Sequence, residues 1–238
     1  MPTTSYYLSQ DVHMCLADDQ VVILDLRRDR YLSLDSDASI MLRPYLDLLA
    51  GREGLPEDRD EPRLREVLAK LSADGLVCTS PLPSMAVETH RPGRRAENAI
   101  TPRPPSGQNL CAHYALHYIW SVVRARVALR TCSLHRIVVS ERIKRSAQPG
   151  APREFDADET ARLCSIYCRL RVIATDRGQC LFDTLALKLF LGNYGIFPDW
   201  IFGVRLNPFG AHCWLQHGNT VVNDSIDSVR PFTPIMTA

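Results

Sequence analysis

Residues 177–224 have the sequence RGQCLFDTLALKLFLGNYGIFPDWIFGVRLNPFGAHCWLQHGNTVVND, and they contain the strongest structural and chemical signals of the chain. The run from Leu181 to Leu191 is apolar nearly all round, which predicts a buried helix ending at Gly192. Cys180 stands at the predicted N-terminus of this helix, where the helix dipole and free backbone N–H groups favour a thiolate. We therefore expect a cysteine that ionises easily.

A predicted strand from Trp200 to Leu206 and a turn lead into a predicted hairpin whose register is ambiguous. A three-residue loop at 217–219 places His212 opposite Asp224, on one face of the hairpin. A two-residue loop at 218–219 instead pairs Asp224 with Cys213, and the His212 and Asp224 side chains then face apart. On this reasoning only the first register allows the carboxylate to orient the histidine.

A cysteine at a helix start with a histidine and an aspartate on following strands is typical of thiol nucleophilic catalysis. In this interpretation Cys180 is the nucleophile, His212 transfers the thiol proton to the leaving amine, and Asp224 orients the imidazole. Asp227 is a rival for the third role. The backbone N–H of Cys180 is our candidate oxyanion donor.

Two other pairs have spacings that metal ligands also use, but we favour structural explanations for both. Cys164 and Cys168 lie four residues apart on a predicted helix and are interpreted as small core residues. His113 and His117 have the same spacing but no acidic residue between them. We expect no metal and no cofactor, and the sequence has no G-x-x-x-x-G-K-[ST] motif.

The first 80 residues predict three short strands, two helices and an extended tail, a winged-helix-like pattern. The strands are expected at residues 12–16, 21–26 and 31–34. One helix is expected to begin at Ser36 or Asp37 and to end before Gly51, and a second follows Pro62 with Gly75 as its C-cap. Lysines and arginines on the second helix are mixed with acids, which argues against a DNA-reading helix.

Six of the sixteen prolines lie between residues 80 and 108, and this stretch has few large apolar residues. Such a composition predicts a linker. We therefore predict an N-terminal domain at 1–80, a proline-rich linker at 81–108 and a C-terminal domain at 109–238, in an α+β chain.

The composition excludes several classes of protein. A net charge of +1 argues against nucleic-acid binding as the main function. The most apolar segment, from Leu110 to Leu129, is interrupted by arginines and histidines, so we predict no membrane span. No secretory signal is visible among the first twenty residues, which predicts a cytoplasmic protein with free thiols.

The motifs Cys180-Leu-Phe-Asp-x-Leu-Ala-Leu, Ile201-Phe-Gly-Val-Arg, His212-x-Trp214 and Asn223-Asp224 resemble those of the B protein of lasso-peptide biosynthesis, a leader peptidase. The resemblance extends from about Leu110 to Ile235. It implies a transglutaminase-like (papain-like) cysteine protease domain. The first half is similar to the family's precursor-recognition domain and to the peptide chaperone of pyrroloquinoline quinone biosynthesis, a winged-helix module.

The resemblance implies a Cys180, His212 and Asp224 triad, a precursor leader peptide as the ligand, and an asparagine-synthetase-like lasso cyclase as a partner. Where the family often has a small Ala or Ser, this chain has Cys213. The third predicted strand is a plausible sheet edge that pairs with a leader, beside a helix that walls the groove. The expected peptide-binding residues are Tyr31, Leu32, Ser33, Leu34, Leu64, Val67, Leu68 and Leu71.

Two other functions remain open from the sequence. The same triad also serves transglutaminases and amidases, in which only the acyl acceptor differs. A non-catalytic precursor-delivery protein is the other alternative, although an intact Cys, His and Asp in this order argues against it.

Overall fold

The structure is a computed structural model, and it describes residues 5–50, 55–56, 62–80, 95–100, 112–146, 155–171 and 180–238. The chain divides into two compact units. The first takes its residues from Met1–Gly93, Gly203–Ala211 and Phe232–Thr237, and the second takes them from Arg94–Phe202, His212–Pro231 and Ala238. The domain boundaries proposed from the sequence stay a prediction, and most of the predicted linker lies outside the described residues.

The N-terminal strands are β1 (Ser5–Leu8), β2 (Val12–Ala17), β3 (Gln20–Asp25) and β4 (Arg30–Ser33). The last three form an antiparallel meander in the order β2-β3-β4. This confirms the three strands predicted from the β-branched runs, whereas β1 was not predicted. Asp18 and Asp19 form the first turn at φ values of 47° and 62°, a conformation that aspartate tolerates better than most residues.

The predicted first helix is broken into α1 (Ser36–Leu42), a 3-10 turn (Arg43–Tyr45) and α2 (Leu46–Ala50). Pro44 explains the break, because a proline removes one backbone hydrogen bond from a helix. The N-cap is Asp35, whose side chain accepts from the N–H of Ala38, so the predicted caps Ser36 and Asp37 were wrong.

A second sheet has the order β5-β1-β6, with β5 at Leu55–Pro56 and β6 at Val77–Cys78. Between them lies α3 (Pro62–Ala73), the second predicted helix. Gly75 follows it at φ 72°, and the N–H of Leu76 bonds back to the carbonyl of Leu71, so the predicted glycine C-cap is confirmed. The winged-helix assignment of this half stays a prediction.

The core of this half lies between one face of β2–β3 and the helices. Alternate strand residues supply the sheet side of the core, as the two-residue period of a strand requires. The thirteen core residues are Leu8, Val12, Met14, Val21, Ile23, Leu42, Leu49, Leu55, Leu64, Leu68, Leu71, Leu76 and Val77.

After β7 (Asn98–Ala99), which lies inside the predicted linker, come α4 (Ala112–Thr131), α5 (Leu134–Ser146) and α6 (Ala157–Arg171). Asp156 caps α6 as predicted, because its carboxylate accepts from the N–H groups of Asp158 and Glu159. No helix among the described residues is long and apolar enough to cross a membrane.

The helix that carries the candidate nucleophile is α7 (Cys180–Gly192), and it is buried along most of its length, as its apolar composition predicted. The remaining elements are β8 (Asp199–Arg205), β9 (Gly210–His217), β10 (Thr220–Val221), α8 (Ile226–Val229) and β11 (Thr233–Thr237). Their sheet has the order β11-β8-β9-β10-β7, in which β7 pairs parallel with β10 and β9 pairs antiparallel with β10. The described elements make this an α+β chain.

Candidate active site

Cys180 is the first residue of α7 and is only partly buried. Its side chain therefore lies at the positive end of a thirteen-residue helix without being fully buried. The next helical turn carries Asp183, which forms an ion pair with Arg171. The carboxylate one helical turn from Cys180 is thus neutralised by an arginine.

His212, near the start of β9, is hydrogen-bonded to Asp224, with 2.7 Å between Nε2 and Oδ2. The second carboxylate oxygen of Asp224 accepts from the N–H of Ser225 at 2.8 Å. Because Nε2 is held by the carboxylate, Nδ1 is the ring nitrogen left for the hydrogen bond between His212 and the Cys180 sulfur. The structure thus brings all three predicted residues together.

The hairpin register that was expected to be necessary for this arrangement is wrong. Thr220 pairs with His217 and Val221 with Gln216, so the loop has two residues, 218 and 219. In a continued ladder Asp224 would lie opposite Cys213 and face away from His212. The strand ends at Val221 instead, and the backbone bends through residues 222–224, which turns Asp224 towards the histidine.

Asn223 makes this bend possible. The N–H of Val222 still donates to the carbonyl of Leu215 at 2.8 Å. In a regular antiparallel pair the N–H of Leu215 would donate back to the carbonyl of Val222. It donates instead to the side-chain oxygen of Asn223 at 2.6 Å. The buried N–H keeps a partner, and the backbone is released from the ladder.

The same asparagine connects the hairpin to α7. Its Nδ2 donates to Oγ1 of Thr184 at 3.3 Å, and that hydroxyl donates to the carbonyl of Cys213 at 3.1 Å. Thr184 is fully buried and lies one helical turn after Cys180. The Thr184–Asn223 pair therefore links the helix that carries Cys180 to the strand that carries His212.

The electrostatics of the site favour a thiolate and an imidazolium. Hydrogen bonds from the side chain of Cys213 and from His212 lower the pKa of Cys180 to about 4. Hydrogen bonds with Asp224 and with Cys180 raise the pKa of His212 to about 9. Burial raises the pKa of Asp224, but the hydrogen bonds from His212, Ser225 and Ser228 outweigh it and leave this pKa lowered. The Cys180 thiolate and the His212 imidazolium are therefore both charged at neutral pH.

Cys213 was not predicted as part of the site. It is buried, and its pKa is raised well above the usual thiol value, first by the hydrogen bond with Cys180 and then by burial. Its S–H therefore stays protonated and donates to the Cys180 thiolate, and its backbone N–H adds a second hydrogen bond.

Asp227, the rival carboxylate, points into solvent with its side chain 92% exposed. Its Oδ1 lies 4.0 Å from Nη1 of Arg230. Asp224, and not Asp227, is thus the carboxylate that contacts the histidine.

A cavity of about 420 Å³ adjoins the Asp224 side of the site. It lies between α6, α7, β7 and the bend after β10, and its polar lining includes Asp224, Asn223 and the Arg171–Asp183 ion pair. Aliphatic side chains from Ile100, Leu187 and Ile226 complete the wall. The mixed lining suits a peptide segment that has both apolar and polar groups.

No group of three or more histidine, cysteine, aspartate or glutamate side chains that could hold a metal ion occurs among the described residues, which include the two other pairs singled out in the sequence. Cys164 is buried, which raises its pKa to about 12, whereas Cys168 is exposed, so the core interpretation holds for the first cysteine only. The Nδ1 atom of His117 lies 3.0 Å from the hydroxyl of Tyr194.

The residues expected to bind peptide fall into two groups. Tyr31, Leu32 and Ser33 lie on β4, which is at the edge of its sheet among the described residues, and Leu34 follows it. On α3, Leu64, Leu68 and Leu71 are core residues, while Val67 is partly buried. The edge strand is thus accessible for pairing, but the three leucines already pack inside the fold.

Sequence reasoning missed the supporting residues Thr184, Cys213 and Asn223. Cys213 and Asn223 are direct neighbours of His212 and Asp224, which was the available signal. No sequence pattern indicated a role for Thr184, because its hydrogen-bond partners lie 29 and 39 residues away along the chain.

Residues 119–237, half of the chain, match the family described as the transglutaminase-like superfamily. A segment of 61 residues is 36% identical to the microcin J25-processing protein McjB of Escherichia coli and covers 26% of this chain and 28% of that protein. The match therefore spans less than a third of this relative. No solved structure matches the chain.

Proposed function

Because this chain belongs to the transglutaminase-like superfamily, we propose that it is a cysteine endopeptidase that binds the leader of a ribosomally made lasso-peptide precursor and cleaves it from the core peptide before macrocyclisation. The observation that carries the proposal is the 2.7 Å hydrogen bond between His212 and Asp224 beside the Cys180 sulfur. It supports the triad that peptide-bond hydrolysis by a thiol requires.

In the proposed reaction the Cys180 thiolate attacks the carbonyl carbon of the scissile peptide bond and forms a C–S bond. The oxyanion that results is stabilised by the backbone N–H of Cys180 at the start of α7. As the C–N bond breaks, the His212 imidazolium gives its Nδ1 proton to the leaving amine. Water, deprotonated by the neutral imidazole, then attacks the thioester, which releases the acid and restores the thiolate and the imidazolium.

The substrate assignment is supported by the similarity to a protein named for processing microcin J25. We propose that the leader pairs with the open edge of β4 as an added strand, because an edge strand offers unpaired N–H and C=O groups. Backbone pairing supplies affinity with little demand on sequence. Three of the four predicted α3 residues are leucines buried in the core. Val67 is only partly buried, so it is the α3 residue of this set that is best placed to contact leader side chains.

We propose that the chain acts in the cytoplasm and has two partners, the precursor peptide and an asparagine-synthetase-like cyclase. A short precursor gene and such a cyclase gene beside the gene for this chain would support this setting. The absence of any precursor-like gene there would count against the substrate class, though not against the thiol chemistry.

The decisive experiment is to incubate the full chain with the precursor peptide encoded by the neighbouring short gene and to identify the products by mass spectrometry. We expect free leader and core with the wild type and none with Cys180→Ala, because removal of a triad nucleophile costs on the order of 10⁶-fold in rate. Cys132→Ala is the matched control, since Cys132 is an exposed thiol outside the site. Cleavage by Cys180→Ala would overturn the assignment.

Adding a primary amine to the same reaction separates hydrolysis from the acyl transfer of a transglutaminase. We expect a new carboxyl terminus on the leader whether or not the amine is present. An amide of the added amine as the main product would identify the chain as an acyltransferase.

A further inference from the structure

The solvent-facing side of α4 is a stripe of large apolar residues. Five of them are between 47% and 65% exposed, and their spacing of three and four residues aligns them along one side of the helix over about 17 Å. These residues, here called the α4 stripe, are Leu116, Ile119, Trp120, Val123 and Val127.

The stripe does not hold α4 in place. The buried side of the helix consists of Tyr118, Ser121 and Ala125, two of which are small. The usual amphipathic pattern puts large apolar residues inside and polar residues outside, and α4 does not follow it. A contiguous exposed apolar patch of this kind marks an interaction surface.

The charged residues that α4 itself contributes have one sign. In its twenty residues α4 contains Arg124, Arg126 and Arg130 and no aspartate or glutamate. The only acidic residue of α5 is Glu141, which forms an ion pair with Lys144. A partner that covers the stripe therefore has to supply carboxylates at its rim, because complementary charge governs which surfaces associate.

We propose that the α4 stripe is a docking surface for a separate protein that presents an amphipathic helix with apolar side chains flanked by aspartate or glutamate. A helix laid along α4 matches the length and the straight line of the stripe. A second copy of this chain fits less well, since it would bring the three arginines of each α4 together without a carboxylate.

Trp120 provides a direct readout of this surface. It lies within the stripe and is 58% exposed, whereas the other two tryptophans of the chain, Trp200 and Trp214, are fully buried. A partner that covers the stripe will shift the Trp120 emission to shorter wavelength and leave the other two unchanged. The readout needs no peptidase activity, so the docking proposal can fail or succeed independently of the proposed function.

The test uses two synthetic helical peptides of about 20 residues with the same leucine stripe, one flanked by glutamates and the other by lysines. We expect the full chain to bind the glutamate peptide with a blue shift of Trp120, and to bind the lysine peptide at least about tenfold more weakly. The preference should shrink as salt is raised, because exposed charges are screened. Val123→Glu with Val127→Glu should abolish binding, whereas Ile143→Glu, at an exposed apolar position on α5, should not.

Three results would overturn the proposal. The first is equal or absent binding of the two peptides. The second is concentration-dependent dimerisation, measured by light scattering and lost in the Val123→Glu, Val127→Glu variant, which would identify a second copy as the occupant. The third is a Trp120 blue shift with anionic phosphatidylglycerol vesicles but not with either peptide, which would identify a membrane surface.

Discussion

The side-chain oxygen of Asn223 accepts the backbone N–H of Leu215 at 2.6 Å, in the place where the carbonyl of Val222 would accept it if the hairpin continued. This replacement lets the chain leave the sheet two residues before Asp224 without leaving a buried N–H unpaired. The contact between His212 and Asp224 thus depends on a side-chain oxygen that takes the place of a strand carbonyl.

Asn223→Ala should lower the free energy of unfolding and weaken the contact between Asp224 and His212. The N–H of fully buried Leu215 loses its partner, which costs about 1–3 kcal/mol. Once Asp224 is no longer held over His212, we expect the pKa of His212 to fall and that of Cys180 to rise. Urea unfolding measures the first effect, and the pH dependence of Cys180 alkylation by iodoacetamide measures the second.

Asn219→Ala is the control for this experiment, because Asn219 lies in the same hairpin but bonds to Glu97. Thr184→Ser should retain the link to α7, and Thr184→Val should weaken it. If Asn223→Ala loses stability while its alkylation profile stays that of the wild type, Asn223 is only structural.

The pH dependence of cleavage should be bell-shaped, with limbs near the pKa values of about 4 for Cys180 and about 9 for His212. Below the first limb the thiol is protonated and is not a nucleophile. Above the second limb the imidazole is neutral and has no proton for the leaving amine. Initial rates of kcat/KM from pH 3 to pH 10, roughly one pH unit beyond each limb, would test both.

Asp224→Asn should move the alkaline limb to lower pH, since the hydrogen bond with Asp224 is the largest cause of the raised pKa of His212. We also expect kcat to fall by about 10⁴-fold, as in other triads whose acid is replaced by its amide. Asp227→Asn should leave the profile unchanged because its side chain is 92% exposed. A severe effect at Asp227 with a mild one at Asp224 would contradict the site.

Cys213→Ala should raise the pKa of Cys180, because the side chain of Cys213 is the largest cause of its lowering. Cys213→Ser retains a donor and should restore a low pKa. The ultraviolet absorbance of the thiolate, measured against pH with Cys180→Ala as the blank, reports this value. Cys164→Ala, at a buried cysteine on α6, is the control, and an unchanged titration in Cys213→Ala would refute the donor role.

Ser33→Pro should block leader binding without breaking the sheet. The N–H of Leu34 donates to the carbonyl of Val21, so on alternate residues the N–H of Leu32 also points inward and that of Ser33 points to the open edge. A proline at Ser33 removes only the outward donor. The Kd of a fluorescent synthetic leader should rise at least about tenfold in Ser33→Pro and stay unchanged in Ser33→Ala.

The local elements of this chain could be predicted from its sequence. The apolar run after Cys180, the turn at Asp18 and Asp19 and the glycine after α3 each depend on neighbours a few residues away, and all three were confirmed. The break at Pro44 was missed although its cause is local, because the apolar spacing continues across it. Cys180 could also be selected as the nucleophile candidate from its local sequence, since a position at a helix start alone favours a thiolate.

The meeting of His212 with Asp224 was decided only in the tertiary structure. A strand alternates its side chains with a period of two, so the observed two-residue loop predicts that these residues face apart. That rule holds only while the ladder continues, and here the ladder ends because Asn223 and Thr184 supply hydrogen bonds from outside it. Such long-range partners have no periodicity in the sequence, because they depend on how α7 packs against the hairpin.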